Sequence, residues 1–177
     1  MADKYLIVVD MQKDFVNGSL GTKEAERIVP AVLQKVENFE GEILFTKDTH
    51  FENYLSTREG KQLPVEHCIK GTDGWMLIEE LEQYCASHSS VVYEKNTFGC
   101  KKLAEDMLAQ QERESIGSIE LIGLCTDICV VSNALLLKAF LPEVEIAVDA
   151  GCCAGVTPAA HQAALQTMES CQILVRK

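Results

Sequence analysis

Short apolar runs alternate along the chain with longer segments whose apolar residues recur at helical spacing. Continuous apolar runs bounded by polar or turn-forming residues are typical of strands buried in a parallel sheet. The pattern predicts strands at residues 5–9, 42–46, 90–93, 119–122, 144–148 and 172–175. It predicts helices at residues 24–39, 75–85, 100–111, 128–140 and 158–170, the last opened by Thr157 as N-cap and Pro158 in the first turn.

Strands that alternate with helices predict an α/β fold, with helices on both faces of a mainly parallel sheet. We therefore expect a single domain over residues 1–177, built as a doubly wound sheet of about six strands. Residues 51–74 form a polar segment too long for an ordinary connection, and such segments are usually functional or disordered. Ligands of doubly wound sheets bind outside the carboxyl ends of the strands, where this segment begins.

The stretch of residues 119–129 predicts a strand, a tight turn at Gly123, and then a helix. Thr126 and Asp127 are good helix N-caps, and Cys129 would follow in the first turn. A helix N-terminus favours an anion and lowers the pKa of a cysteine, so Cys129 is a candidate nucleophile. Two alternatives remain open, a buried core cysteine and a redox or metal pair with Cys125.

Composition narrows the classes of function. The chain of 177 residues is 47% hydrophobic and 24% charged, which is typical of a globular protein. A net charge of −11 disfavours nucleic acids and anionic membranes as partners. The chain has 8 cysteines, and its first residues do not show the pattern of a signal peptide. We therefore predict reduced thiols and a cytoplasmic location. We also find no apolar run long enough to cross a bilayer.

Reactive side chains stand at the ends of several predicted strands. Asp10, Asp48, Lys95 and Cys129 would all meet at one edge of a parallel sheet. Taken singly, Asp10 could cap a turn and Lys95 could be a solvated surface charge. Their coincidence at one edge favours catalysis.

These motifs together resemble the isochorismatase-like cysteine hydrolase superfamily. The resemblance covers nearly the whole chain. Its three longer motifs are Val-Val-Asp-Met-Gln-Lys-Asp-Phe at residues 8–15, Glu-Lys-Asn-Thr-Phe at residues 94–98 and Gly-Leu-Cys-Thr-Asp-Ile-Cys-Val at residues 123–130. A late Asp149-Ala150 followed by His161 also fits the family. Within the superfamily, Asp48-x-His50 with His67-Cys68 resembles the metal motif of nicotinamidases.

The resemblance implies a catalytic triad of Asp10, Lys95 and Cys129 that forms a thioester intermediate. Asp10 would take the thiol proton, and Lys95 would hold the thiolate and prevent burial from raising the Asp10 pKa. The backbone N–H groups of Cys125 and Cys129 would form the oxyanion hole. The family further suggests a cis Leu124–Cys125 peptide bond, which Gly123 would allow the chain to enter.

The resemblance also implies a metal site formed by Asp48, His50 and His67. Glu59 would be a fourth ligand, with Glu52 as a less well placed competitor. These ligands suit zinc best, with iron or manganese as alternatives, although both histidines could be ordinary loop residues.

Substrate contacts are assigned to Phe15, Phe98 and Leu124, because no aromatic residue directly precedes His67. His161 is interpreted as structural and His88 as a surface residue.

The leading hypothesis is a nicotinamidase that converts nicotinamide to nicotinate and ammonia. A related metal-independent amidase for a carbamoyl or ureido compound is one alternative, and a non-catalytic thiol redox or binding protein is another. In the enzymatic readings the partner is a small-molecule amide. The resemblance also implies a homo-oligomer.

Overall fold

The computed structural model describes residues 3–177, in which six strands form one sheet. The strands are β1 (Lys4–Val9), β2 (Glu42–Asp48), β3 (Val91–Lys95), β4 (Ser118–Leu124), β5 (Glu145–Ala154) and β6 (Leu174–Arg176). Their order is β3-β2-β1-β4-β5-β6, and every neighbouring pair is parallel. The predicted α/β class and parallel sheet are therefore confirmed.

Within residues 3–177, seven α-helices connect or flank these strands. They are α1 (Lys13–Val16), α2 (Lys23–Asn38), α3 (Arg58–Gln62), α4 (Glu79–His88), α5 (Lys101–Arg113), α6 (Val131–Phe140) and α7 (Pro158–Ser170). The side chain of Thr157 accepts a hydrogen bond from the N–H of Ala160, so the predicted cap of α7 is confirmed. None of the helices in residues 3–177 is long and apolar enough to span a membrane.

The prediction that a helix begins at residue 75 is wrong, because α4 begins at Glu79. The preceding residues instead pair with the segment that follows β1. Lys13 N–H donates to the Met76 carbonyl, and Ile78 N–H donates to the Met11 carbonyl. Backbone pairing with a distant segment thus overrides the local helical periodicity.

The sheet is covered on both faces by apolar side chains from the helices. One face packs against α5, α6 and α7 through residues such as Leu103, Leu137 and Met168. The other packs against α2 and α4 through residues such as Val32 and Leu81. Because both faces are buried, residues 5–9 of β1 form a continuous apolar run, and β4 is largely apolar with the buried Glu120 within it.

The chain reverses its direction of winding between β1 and β4. From β1 it builds outward to β2 and β3, and it then returns to place β4 on the other side of β1. A crevice forms outside the carboxyl ends of strands at such a switch point. Asp10 follows β1 there, and Cys125 follows β4.

The long segment after β2 packs as a loop with little regular structure. It contains a 3₁₀ turn at Tyr54–Ser56 and the short helix α3. Tyr54 is fully buried, and its hydroxyl donates to the Leu63 carbonyl across 3.0 Å. The segment brings Glu59 and His67 close to Asp48 and His50 at the end of β2.

Candidate active site

The turn after β4 depends on a glycine. Gly123 has φ of +112°, and a Cβ atom there would lie 2.2 Å from the carbonyl oxygen of Val9. No side chain fits this close approach of two neighbouring strands. The following Leu124–Cys125 peptide bond is cis, as predicted.

The helix that carries Cys129 begins differently from the prediction. Residues Thr126–Val130 form a π-helical turn that precedes α6, and Cys125 occupies the N-cap position without a side-chain cap. The Cys125 carbonyl accepts hydrogen bonds from both Ile128 and Val130.

Thr126 and Asp127, predicted as N-caps, make distant contacts instead, so this prediction is wrong. The Thr126 hydroxyl is hydrogen-bonded to the ring of His161 at 2.8 Å, and Asp127 accepts from the N–H of Val156 at 3.0 Å. Both bonds tie the turn to α7 and the segment that leads into it. The contact also fits the structural role predicted for His161.

Asp10, Lys95 and Cys129 come together at the carboxyl edge, and all three are buried. The Lys95 ammonium lies 2.7 Å from an oxygen of Asp10 and 3.3 Å from the Cys129 sulfur. Thr46, on β2, donates its hydroxyl proton to the other Asp10 oxygen at 2.6 Å. Asp10 has φ of +46°, a left-handed conformation that aspartate tolerates better than most residues.

The electrostatics of these groups differ from the sequence prediction. Burial raises the pKa of the Cys129 thiol well above its ordinary value, and the Asp10 charge raises it further. Lys95 lowers it, but the opening of the helix does not produce the low pKa that was predicted. Burial also raises the pKa of Asp10 despite the opposing Lys95 charge, so the prediction that Lys95 would prevent this is wrong.

These shifts describe a neutral thiol beside a carboxyl group with enhanced basicity. A base whose pKa rises towards neutrality is a better acceptor for the thiol proton. The thiolate would thus form beside Lys95 as the proton moves to Asp10, and need not be present at rest.

Four side chains with metal-binding atoms converge next to these groups. They are Asp48, His50, Glu59 and His67, and their nearest donor atoms all lie within 4.8 Å of one another. His50 Nε2 is 3.0 Å from Asp48 Oδ2 and 3.6 Å from Glu59 Oε1. His67 Nε2 is 3.7 Å and 3.9 Å from the same two oxygens. Two imidazoles and two carboxylates form a suitable ligand set for a divalent transition metal.

The local bonding leaves imidazole nitrogens of this cluster facing its carboxylates. His67 donates from Nδ1 to the Val65 carbonyl at 2.8 Å, which leaves Nε2 free to face the cluster. His50 Nε2 is buried without a hydrogen-bond partner among the described residues, as expected for a metal ligand. Burial alone would raise the pKa of Asp48, but the adjacent imidazoles of His50 and His67 and the Lys95 charge hold it below its usual range. Glu52 is exposed and lies outside the cluster.

A cavity of about 350 Å³ connects Cys129, the predicted nucleophile, with this candidate metal-binding cluster. Cys129, Cys125, Asp48, Glu59 and His67 line it. The predicted substrate contacts Phe15, Phe98 and Leu124 also line it, as do Leu20, Thr22, Gln62, Leu63, Ile128, Gly155 and Val156. The second group was not predicted, because no periodic pattern in the sequence marks which loop side chains turn inwards.

Gln12 is a buried residue that the sequence analysis did not assign to the site. Its Nε2 donates to the carbonyls of Asp48 and Trp75 at 2.8 and 2.9 Å, and its Oε1 accepts from the Asp48 N–H at 2.7 Å. The amide thus fixes the backbone of one candidate ligand from both sides. Its position two residues after Asp10, at the carboxyl end of β1, could have indicated that Gln12 lies near the site.

Asn133 performs a similar task behind the nucleophile. Its Nδ2 donates to the carbonyls of Cys129 and Phe98 at 2.8 and 3.2 Å, and its Oδ1 accepts from the Cys100 N–H at 2.8 Å. The side chain therefore links the helix of the nucleophile to the loop after Lys95. A polar residue four positions after Cys129 in an apolar helix could have indicated this contact.

We expect Gln12→Met to weaken metal binding by about 10–100-fold, the usual effect of removing a group that orients a ligand. Methionine has a similar volume but cannot hold the Asp48 backbone. Chelator competition would measure the affinity, and the exposed Gln166→Met would be the matched control. An unchanged affinity in correctly folded Gln12→Met would contradict this role.

Comparison with known proteins is consistent with this arrangement. The family model described as the isochorismatase domain matches residues 4–176. The isochorismatase family protein PncA of Bacillus subtilis is 30% identical over 141 residues, which covers 75% of this chain and 76% of that protein.

Two solved structures are similar over almost the full length. The nicotinamidase/pyrazinamidase PncA from Bacillus subtilis superposes with a TM-score of 0.81 at 26% identity, covering 98% of this chain and 99% of that chain. The pyrazinamidase of Pyrococcus horikoshii in complex with zinc superposes with a TM-score of 0.79 at 26% identity, covering 99% of both chains.

Proposed function

The chain belongs to the isochorismatase family, and within it we propose a metal-dependent nicotinamidase that uses Asp10, Lys95 and Cys129 for catalysis. It is a nicotinamidase-like hydrolase acting on amide C–N bonds. The specific reaction proposed is the hydrolysis of nicotinamide to nicotinate and ammonia.

The observation that carries the proposal is the shared cavity. One space of about 350 Å³ is lined by the Cys129 thiol and by three members of the metal-binding cluster. A small amide bound there would place its carbonyl near the nucleophile while its ring contacts Phe15 or Phe98. Reactive groups and an apolar enclosure in one pocket are what amide hydrolysis requires.

In the proposed first step, the Cys129 thiol gives its proton to Asp10 and the sulfur attacks the amide carbonyl carbon. The ammonium of Lys95, 3.3 Å from the sulfur, stabilises the negative charge as it forms. The N–H groups of Cys125 and Cys129 would donate to the oxyanion. The C–N bond then breaks, and Asp10 returns the proton to the departing ammonia.

The second step hydrolyses the thioester. Asp10, again ionised, takes a proton from a water molecule, and the hydroxide oxygen attacks the acyl carbon. The C–S bond breaks, the acid leaves, and the proton on Asp10 returns to the Cys129 sulfur. Thr46 keeps the carboxylate oriented throughout by donating to the oxygen that does not contact Lys95.

Asp48, His50, Glu59 and His67 are the residues that would hold the metal. A bound divalent cation, with zinc as the proposed identity and iron or manganese as alternatives, would supply positive charge that orients and polarises the substrate. The cluster supports this candidate over a metal-independent amidase. A cytoplasmic location and a homo-oligomer stay predictions.

The proposed function is tested by measuring ammonia release from nicotinamide, pyrazinamide and a set of carbamoyl and ureido compounds. We expect turnover of nicotinamide that falls after chelation and returns when zinc is added. Turnover of ureido compounds alone, insensitive to chelator, would favour the metal-independent alternative. No amide turnover with any tested metal would contradict an amidase.

A further inference from the structure

The cavity that contains Cys129 opens onto exposed apolar side chains. Leu63, Phe98 and Val156 line the cavity and are 38%, 46% and 51% exposed, and we call them the apolar rim. They come from three separate segments, which follow α3, β3 and β5. Exposed apolar groups that meet around one pocket mark a surface that a ligand or partner can cover.

Less exposed residues contribute further apolar side chains to the lining. They are Phe15, Leu20, Leu124 and Ile128. The ring centroids of Phe15 and His67 are 5.5 Å apart. A substrate acyl group would therefore meet apolar side chains beyond the reacting amide. Cavities of this size hold ligands larger than a single-ring amide.

The charges of the lining restrict the substrate further. The described residues that line the cavity include no lysine or arginine. The carboxylates of Asp48 and Glu59 belong to the metal-binding cluster. A carboxylate on the far side of the substrate would therefore lose its hydration without gaining a cationic side chain, which is costly.

We infer that the preferred substrates are uncharged amides whose acyl group carries an apolar extension beyond one ring. Leu63, Phe98 and Val156 would be the specificity-determining contacts for that extension. The inference rests on the proposed function, because it assumes amide turnover at Cys129. It goes further by predicting that nicotinamide fills only part of the site.

The test compares nicotinamide with nicotinamides that bear methyl, propyl or pentyl groups, or a carboxymethyl group, at ring position 5 or 6. We expect kcat/KM to rise by up to about fourfold for each methylene that leaves water at the productive position. The carboxymethyl compound should be poorer than nicotinamide. Turnover of nicotinamide with no gain along either alkyl series would overturn the inference while leaving the proposed function intact.

A pair of matched variants identifies the contact surface. Val156→Ser should reduce the advantage of the pentyl compound over nicotinamide. Val91→Ser should preserve this advantage. Val91 is similarly exposed, at 47%, but it begins β3 and therefore lies at the amino ends of the strands, away from the cavity at their carboxyl ends. An equal advantage in both variants would overturn the assignment of Val156. If a second copy of the chain covers the rim, the alkyl series should be flat and activity per chain should depend on protein concentration, which would also overturn the inference.

Discussion

Cys129→Ala is expected to lower kcat/KM for nicotinamide by roughly 10⁴-fold or more, because it removes the nucleophile that we propose forms the acyl intermediate. The fold should persist, since the thiol is small and alanine is compatible with a helix. Initial rates of ammonia release measure the effect, and a thermal melt checks the fold.

Two other cysteines provide controls for this variant. Cys171 is exposed at the end of α7, and Cys68 is buried and directly follows His67 in the chain. Cys171→Ala and Cys68→Ala should both keep most of the activity. If folded Cys129→Ala retained substantial turnover, the thioester mechanism would be wrong.

His67→Ala is expected to lower both the metal content and the turnover. It removes one of the four proposed ligands, whose donor atoms lie within 4.8 Å of one another. A metal that stabilises developing charge contributes several kcal/mol, so we expect a loss on the order of a hundredfold or more. Elemental analysis should find about one divalent metal per chain in the unsubstituted protein.

The matched control replaces a histidine outside the cluster. His88 is exposed and stacks on Tyr84 at a centroid distance of 4.0 Å. His88→Ala should retain normal metal content and activity. Equal metal content in His67→Ala and His88→Ala would refute the assignment of His67 as a ligand.

Much of the fold could be predicted because burial on both faces of the sheet leaves a strong pattern. The strand around Ile7 is a continuous apolar run and the strand around Leu121 is apolar apart from the buried Glu120, and the rule for carboxyl ends then places Asp10 and the turn after β4 at the same edge of the sheet. The first of two wrong predictions concerns residues 75–78, which have a helical pattern in the sequence but lie outside α4 in the structure. Met76 and Ile78 satisfy their backbone groups by pairing with residues near Gln12, and a local pattern carries no information about that partner.

The second wrong prediction concerns how distant groups modify the site. Thr126 and Asp127 are good caps by residue type, but His161 and Val156 offer them partners that only the folded chain brings close. The pKa of Cys129 likewise depends on the depth of burial, which outweighs any benefit from the helix. Residues that support the site through their side-chain amides, such as Gln12 and Asn133, belong to the same class.

In the proposed mechanism the acyl group passes through the Cys129 sulfur, and partitioning of that intermediate with hydroxylamine would reveal it. A thioester reacts with hydroxylamine in competition with water, even when it never accumulates. With increasing hydroxylamine, we expect nicotinohydroxamate to replace nicotinate while ammonia release is maintained, and we expect Cys129→Ala to form neither product. Nicotinate as the sole product at every hydroxylamine concentration, or equal hydroxamate formation by Cys129→Ala, would contradict it.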